Sequence, residues 1–270
     1  MGVIHHELFE LARIDGFARQ DTVIHRLDAR VKVLTTLVFL VCVVSFPKHA
    51  VLPLLPFLLF PLVIARLGQL PLHWLERRLL AASPFAIVVG LANPLVDQAQ
   101  VPIGFGVTIA AGWLSFTSIL LRFLLTTAAA LLLIATTGMP ALCDGLRRLR
   151  VPEVFVTQLQ LLYRYLFLLG EEAMRMERAR DLRSCGRRGT GPWVSGKLLG
   201  ALLLRTIARA NRIFAAMVLR GFEQSFGAVA SRPWRRRDLG YLLGWSTIFL
   251  LFRQVPVGVL LGRLVTGTQQ

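Results

Sequence analysis

The sequence predicts an all-α fold: a polytopic α-helical membrane protein with a cytoplasmic helical domain carrying two long amphipathic helices. Three observations lead there. The 270 residues are 55% hydrophobic, with a mean hydropathy of +0.61. They nonetheless carry a formal net charge of +16. That charge is uneven, since Pro140–Asp238 holds 19 Lys/Arg against 8 Asp/Glu, or +11 of the total. Bilayer spans flanked by Lys/Arg-rich cytoplasmic surface account for both properties; a soluble domain is rarely so apolar. A basic balance alone also suits nucleic acid, but a nucleic-acid-binding domain has no use for several bilayer-length apolar runs.

A span takes about 20 mostly apolar residues. The first is expected at Val31–Phe46, with Lys32 able to snorkel, and Pro47-Lys48-His49 forms the turn after it. The second runs over Val51–Leu67. Its Pro53, Pro56 and Pro61 are tolerable in a membrane, where neighbours satisfy the freed carbonyls. The third covers Leu79–Val96 with Pro84 and Pro94, and Asp97–Gly112 reads as a loop with a short apolar piece. The fourth is Trp113–Gly138, stopped by Thr136-Thr137-Gly138-Met139-Pro140. The last is Leu239–Leu261, despite Arg253 and Pro256, with Arg235-Arg236-Arg237 as its cytoplasmic anchor.

Lys/Arg placement sets orientation. Arg13, Arg19, Arg26, Arg30 and Lys32 precede the core of the first span, and Arg66, Arg77 and Arg78 follow the second. The loop after the first span has Lys48, and Asp97–Gly112 has no Lys or Arg. The N-terminus is therefore expected in the cytoplasm and the C-terminus outside. The first thirty residues are charged and lack a compact apolar core, so insertion is expected through the first span and not a cleavable signal. Cys42, Cys143 and Cys185 form no CxxC pair, and their odd number suits a reducing compartment and structural roles. Three segments result: 1–139 with the N-terminal segment and first spans, 140–238 as the cytoplasmic domain, and 239–270 with the last span and tail.

The 140–238 segment is basic but periodic. Val154-Phe155-Val156, Leu159, Leu161-Leu162 and Tyr165-Leu166 recur at helical spacing, as do Leu198-Leu199, Leu202-Leu203-Leu204, Ile207 and Ile213-Phe214. These are amphipathic helices and not a disordered basic tail. Glu171-Glu172 and Glu177 are placed to balance nearby arginines, for example Glu171 with Arg175. Two short elements in this segment are alike: Ala179-Arg180-Asp181-Leu182-Arg183-Ser184-Cys185-Gly186 and Ala215-Ala216-Met217-Val218-Leu219-Arg220-Gly221-Phe222. Each presents a helix ending in Leu-Arg followed by Ser or Gly. Glycines at 186, 189 and 221 can cap these helices, and an arginine suits the negative end of the helix dipole. Ordinary basic helix ends would look the same. A planar guanidinium on a helix tip, however, also fits a carboxylate-lined groove, and two tips can serve two copies of a partner.

The chain resembles the transmembrane T component of energy-coupling-factor transporters, most closely the cobalt-type CbiQ family. The resemblance spans nearly the whole chain. It rests on Asp21-Thr22-Val23-Ile24-His25-Arg26-Leu27-Asp28-Ala29-Arg30-Val31-Lys32, on Leu121-Arg122-Phe123 and on Ala135-Thr136-Thr137. It continues through Leu146-Arg147-Arg148-Leu149-Arg150-Val151-Pro152, Tyr163-Arg164-Tyr165 and the two Leu-Arg elements. What it implies is a non-enzymatic scaffold that couples two ABC-type ATPase subunits to a separate substrate-binding membrane subunit for cobalt or nickel. The implied location is the inner membrane, with several spans. In the family, X-Arg-Gly signatures sit on two coupling helices and dock the ATPases. Carried over, they make Leu182, Arg183 and Ser184 the first ATPase-coupling site and Leu219, Arg220 and Gly221 the second. Ser184 stands where the signature has glycine.

The residues themselves offer no competing chemistry. No Walker-type glycine loop ending in Lys-Ser/Thr occurs, so ATP hydrolysis is not expected of this chain. His5-His6 is the one adjacent pair of metal-type ligands, while His25, His49 and His73 stand apart. No His/carboxylate cluster lies in an apolar span, so no metal site, cofactor or catalytic residue is expected. Arg122 within the fourth span either snorkels outward or pairs with a partner subunit, and Arg164 suits an interfacial or interhelix contact. The alternative function is a stand-alone secondary transporter with its own midplane site, for which the prolines of the second and third spans give some support. A membrane enzyme has no nucleophile–base pair to recommend it.

Overall fold

The computed structural model describes residues 15–48, 50–96, 100–102, 108–184, 191–222 and 235–254. Eight α-helices run through them: α1 (Ala29–Val44), α2 (Leu59–Leu67), α3 (Leu72–Val96), α4 (Ala111–Thr137), α5 (Met139–Arg148), α6 (Glu153–Arg183), α7 (Pro192–Leu219) and α8 (Arg236–Gln254). A 3-10 helix over Leu52–Leu58 precedes α2. The chain divides into two compact units. One contains Phe17–Gly138 and Pro233–Gln270; the other contains Met1–Gly16 and Met139–Arg232.

The first unit is built on α1, which packs against α4 and α8. Asp28 starts α1 by accepting the Arg30 backbone N–H at 2.9 Å, a side-chain N-cap. An aromatic cluster fills the interior. Phe39 of α1 lies 4.7 Å from Phe60 and 5.3 Å from Phe249, centroid to centroid, and Phe60 meets Trp245 edge-on at 4.9 Å. Phe39, Phe57 and Phe249 are fully buried. Such rings contribute both buried area and favourable edge-to-face geometry. On the other side, α3 and α4 touch at Gly90, where an added Cβ would lie 2.8 Å from Phe116. Glycine there is what permits the close approach.

Several sequence expectations change in detail. The second expected span is two pieces. Pro56 lies inside the 3-10 stretch, and α2 starts only at Leu59 with Pro61 in its first turn, where no backbone N–H is needed. The third begins earlier than expected, at Leu72, so Arg77 and Arg78 are helical and not in a loop. The segment read as a loop contains two short antiparallel strands, β1 (Gln100–Pro102) and β2 (Thr108–Ala110), with Val101 opposite Ile109. Among the described residues the fold is all-helical apart from this short strand pair, as the all-α class expects. Among the described residues, Gly112–Thr137 is the one helix long and apolar enough to cross a membrane. By contrast α1, at 16 residues, rises only about 24 Å.

Several helix ends use a residue in the left-handed region. Gly138 (φ +73°) closes α4 with its N–H on Ile134 O at 2.9 Å. The end of α5 uses a non-glycine residue. Arg150 (φ +64°) stands in the left-handed position, with Arg150 N on Arg147 O and Val151 N on Leu146 O. In the second unit α5 packs on α6, and α6 meets α7. At 31 and 28 residues, α6 and α7 reach about 46 and 42 Å. Cys143 and Val156 are buried there, but much apolar surface is not: Phe155, Leu162, Leu199, Leu204 and Phe214 are each more than half exposed. Cys42 and Cys143 are buried free thiols, and Cys185 lies outside the described residues.

Candidate functional site

The two Leu-Arg elements fall at the C-terminal ends of the two longest helices, α6 and α7. At the first, Arg183 is the last helical residue and Ser184 is the cap, in right-handed conformation (φ −81°, ψ 0°). Ser184 N donates to Arg180 O at 3.0 Å, and its Oγ donates to Asp181 O at 2.9 Å. One turn back, Arg180 is held by Asp181 at 2.7 Å and Glu177 at 3.5 Å. The Arg183 side chain is exposed.

At the second, Arg220 is the cap and Gly221 takes φ +74°. Gly221 N bonds Val218 O at 3.0 Å and Phe222 N bonds Met217 O at 3.0 Å, the paired bonds of a Schellman stop. A residue with a Cβ is disfavoured at that φ, which accounts for glycine. Arg220 is also exposed. Leu182 and Leu219, at 82% and 88%, are the most exposed large apolar side chains among the described residues. Each tip thus presents a solvated leucine next to a solvated arginine. The energetic tendency of such a leucine is to be buried, by about 1.5–3 kcal/mol when fully covered.

Between these helices lies a feature that the sequence reading did not single out. The apolar faces of α6 and α7 flank an open groove of about 810 Å³, lined by Phe155, Leu162, Tyr165, Ile213, Phe214 and Met217. Thr157, Gln158, Thr206 and Arg209 add polar groups to the lining. The apolar repeats at 154–166 and 198–214 were the available signal. They tell that both helices have an apolar face, not that the faces remain uncovered. Along the same helix pair, Glu172 bonds Arg205 at 2.7 Å. Glu171 and Arg175 do pair, at 3.4 Å, but both are exposed and screened.

The remaining singled-out residues take specific places. Tyr163 Oη donates to Asp15 Oδ2 at 2.5 Å. Burial, and Asp15 as acceptor, push the phenol up, so it stays protonated. Burial and the neighbouring Asp144 likewise push the Cys143 thiol up, which keeps it unreactive. Arg164 is exposed beside a smaller cavity of about 340 Å³ that Cys143, Gln160 and Tyr163 also line. Arg122 Nη2 donates to Phe46 O at 3.0 Å and Pro47 O at 2.5 Å, tying down the turn after α1. His5, His6 and His49 lie outside the described residues, among which no group of three His, Cys, Asp or Glu could hold a metal ion.

In the first unit, the stretch Asp28–Lys32 is a polar clasp. Arg30 pairs with Asp28 at 2.9 Å, with 13% and 7% of the two side chains exposed. Asp28 N donates to the buried Asp238 of α8 at 3.3 Å, and Lys32 Nζ donates to Thr136 O, near the end of α4, at 2.8 Å. Lys32 is 4% exposed and so does not snorkel.

Comparison with known proteins adds to this geometry. Residues 20–229 match the family model CbiQ, described as a cobalt transport protein. An energy-coupling factor transporter transmembrane protein, EcfT, of Heliobacterium modesticaldum is 26% identical over 250 residues, 86% of this chain and 92% of its own. The cobalt transport protein CbiQ of Rhodobacter capsulatus is 33% identical over 103 residues, 37% of this chain and 42% of its own. The nickel permease LarQ of Lactiplantibacillus plantarum is 29% identical over 144 residues, 52% and 53% of the two chains.

Proposed function

The chain belongs to the CbiQ cobalt transport protein family, and from that premise we propose that it is the transmembrane coupling subunit of an energy-coupling-factor importer for cobalt or nickel. The protein is a membrane component of a transporter, and it works without catalysing a reaction. Two ABC-type ATPase subunits dock on the tips of α6 and α7 through Leu182, Arg183 and Ser184 and through Leu219, Arg220 and Gly221. A separate membrane subunit carries the metal. Residues 140–238 form the cytoplasmic coupling domain, and the flanking segments hold it in the inner membrane.

One observation carries this reading. The two longest helices end in the two most exposed leucines, and each of those leucines is followed by a solvated arginine. A leucine beside an arginine suits a pocket with an apolar floor and a carboxylate at its rim. The groove between α6 and α7 supports the second half of the reading. Its apolar walls suit a helix of the substrate-binding subunit. Closing of the ATPases on ATP moves the two tips, the helices transmit that motion as stiff rods, and the groove changes width around its occupant. The cobalt and nickel relatives frame the substrate, and the choice between the two ions belongs to the metal-binding subunit.

The test is Arg183→Glu and Arg220→Glu, singly and together, in the complex copurified in mild detergent. Losing one side of a desolvated Arg–carboxylate contact costs about 2–5 kcal/mol, and reversal adds repulsion. The double variant is expected to lose the ATPases on purification and to lose ATP-driven metal uptake in liposomes. Full retention of both by the double variant would refute the coupling role. Metal uptake by the purified chain alone, without ATPases, would favour a stand-alone transporter instead.

A further inference from the structure

The turn after α1 gathers positive charge from three elements. Arg122, in the interior of α4, gives its Nη2 to Phe46 O and Pro47 O. Arg253, in the last turn of α8, gives its Nη2 to Ser45 O at 3.4 Å and lies over the Phe46 ring, 5.0 Å from its centroid. Lys48 stands exposed on the turn itself. Two guanidiniums thus hold three successive carbonyls, whose residues span no more than about 8 Å of chain. Carbonyl dipoles orient a guanidinium but leave its full charge in place. The elements that carry this charge offer no carboxylate: α1, the turn, the 3-10 helix and α4 contain no Asp or Glu. The acids of the neighbouring helices lie at their far ends, Glu76 in the second turn of α3 and Asp238 beside Asp28 at the start of α8. Arg122 Nε is buried with no partner among the described residues. A cation in the last turn of α8 also suits the helix dipole. That does not account for Arg122, nor for Arg253 reaching a carbonyl of another element.

Apolar tracks lead away from this charge. On α1, Leu37, Val41 and Val44 are exposed at helical spacing and end next to Ser45. On α8, Leu243 and Leu250 are exposed on one face, with Arg253 one turn beyond. Each track is about 10 Å long. We propose that Arg122 and Arg253 together bind the phosphate of an anionic phospholipid, whose acyl chains lie along the exposed residues of α1 and α8. Guanidinium forks match phosphate oxygens, and basic sites between membrane helices take anionic headgroups. A free phosphate has no use for the tracks. A zwitterionic headgroup brings its own ammonium, which the cations of the turn repel. The site requires the chain to be in a membrane and does not depend on the coupling role.

The experiment loads the purified full chain, in detergent, with equal amounts of phosphatidylglycerol and phosphatidylcholine, and counts the retained lipid by native mass spectrometry. The parent is expected to prefer phosphatidylglycerol at least about tenfold, the worth of a charge-assisted contact. Arg253→Gln should cut that preference to below about threefold, whereas Arg66→Gln, an exposed arginine of α2 outside the site, should keep it. Arg253 is exposed, so folding should persist, and an unchanged thermal midpoint without lipid verifies it. Arg122→Gln should behave as Arg253→Gln does; if the freed turn unfolds the chain, Arg253→Gln alone decides. Equal retention of the two lipids by the parent, or an undiminished preference in Arg253→Gln, would overturn the proposal. So would displacement of the lipid by millimolar inorganic phosphate, which assigns the arginines to a free anion. Loss of the lipid in the complex copurified with its partner subunits, while the isolated chain still binds it, would give the arginines to a partner's carboxylate and overturn the proposal as well.

Discussion

Asp28 offers a sharp test of the packing around the start of α1. Two of the things its carboxylate does are separable. Oδ1 accepts the Arg30 backbone N–H and so caps α1, and both oxygens pair with the Arg30 guanidinium, Nη2 at 2.9 Å and Nε at 3.2 Å. Asp28→Ala removes both. The cap is worth about 1 kcal/mol. Taking one partner from a largely buried ion pair costs about 3–5 kcal/mol, and 7% exposure of Asp28 against 13% of Arg30 puts this pair in that class. The expected loss is therefore about 4–6 kcal/mol. Asp28→Asn keeps a cap acceptor and should lose about 3–4 kcal/mol. Asp28→Asn with Arg30→Gln removes both charges and should recover most of that, leaving about 1–2 kcal/mol. Thermal unfolding in detergent, followed by circular dichroism, reads the series at about 2–4 °C per kcal/mol. A loss below about 0.5 kcal/mol for Asp28→Asn, or a double variant as unstable as the sum of the singles, would refute the buried-pair reasoning.

Four further outcomes are expected. Lys32→Met keeps the side-chain volume but strands the Thr136 carbonyl that Nζ satisfies at 2.8 Å, so about 1–3 kcal/mol should be lost in the same unfolding assay. Gly221→Ala meets no atom within 4 Å, so its cost is that of a left-handed alanine, about 1 kcal/mol, and Gly221→Asn should cost less. Arg150→Gly relieves a left-handed arginine at the end of α5 and should raise the thermal midpoint by the equivalent of about 1 kcal/mol. Finally, burial and the nearby Lys32 hold the His25 imidazole below its usual value, with Phe17 and Ala135 carbonyls and Asp21 pulling the other way. The unfolded chain then takes up the proton first. Stability should be full above the ordinary imidazole range and fall as pH drops through the lowered His25 value, and His25→Gln should flatten that slope in a pH series of thermal midpoints.

Much of the helical layout could be read from local signals. The stop at Thr136–Pro140 is where α4 ends, because a glycine at φ +73° followed by a proline closes a helix wherever it occurs. The second Leu-Arg element ends its helix at Gly221 (φ +74°) in the same way, whereas the first ends at Ser184 in right-handed conformation. Errors arose where two local signals competed. Arg77 and Arg78 suggested a loop, but they lie in the first two turns of a helix that starts at Leu72, since charged residues are acceptable at a helix's exposed end. The three prolines of the second expected span suggested a tolerant membrane helix. They produced a 3-10 stretch first, because Pro56 has no N–H to donate. The hairpin at 100–110 has strands of three residues, too short for alternation to register.

By itself the sequence determined that the chain is mainly helical, that one helix stops at Gly138, that charge concentrates between Pro140 and Asp238, and that two arginines stand at matching positions. These depend on propensity, periodicity and composition, which act within a few residues. Only the tertiary structure decided which faces meet. It put Phe39 against Phe249, 210 residues away in the chain, and the Lys32 ammonium on the Thr136 carbonyl. It set Arg122 on the Phe46 and Pro47 carbonyls, and it left the apolar faces of α6 and α7 open as a groove. It also gave the two Leu-Arg tips different neighbours. An apolar periodicity says that a face seeks cover, but whether another element of the same chain supplies that cover depends on long-range packing, which no local pattern encodes.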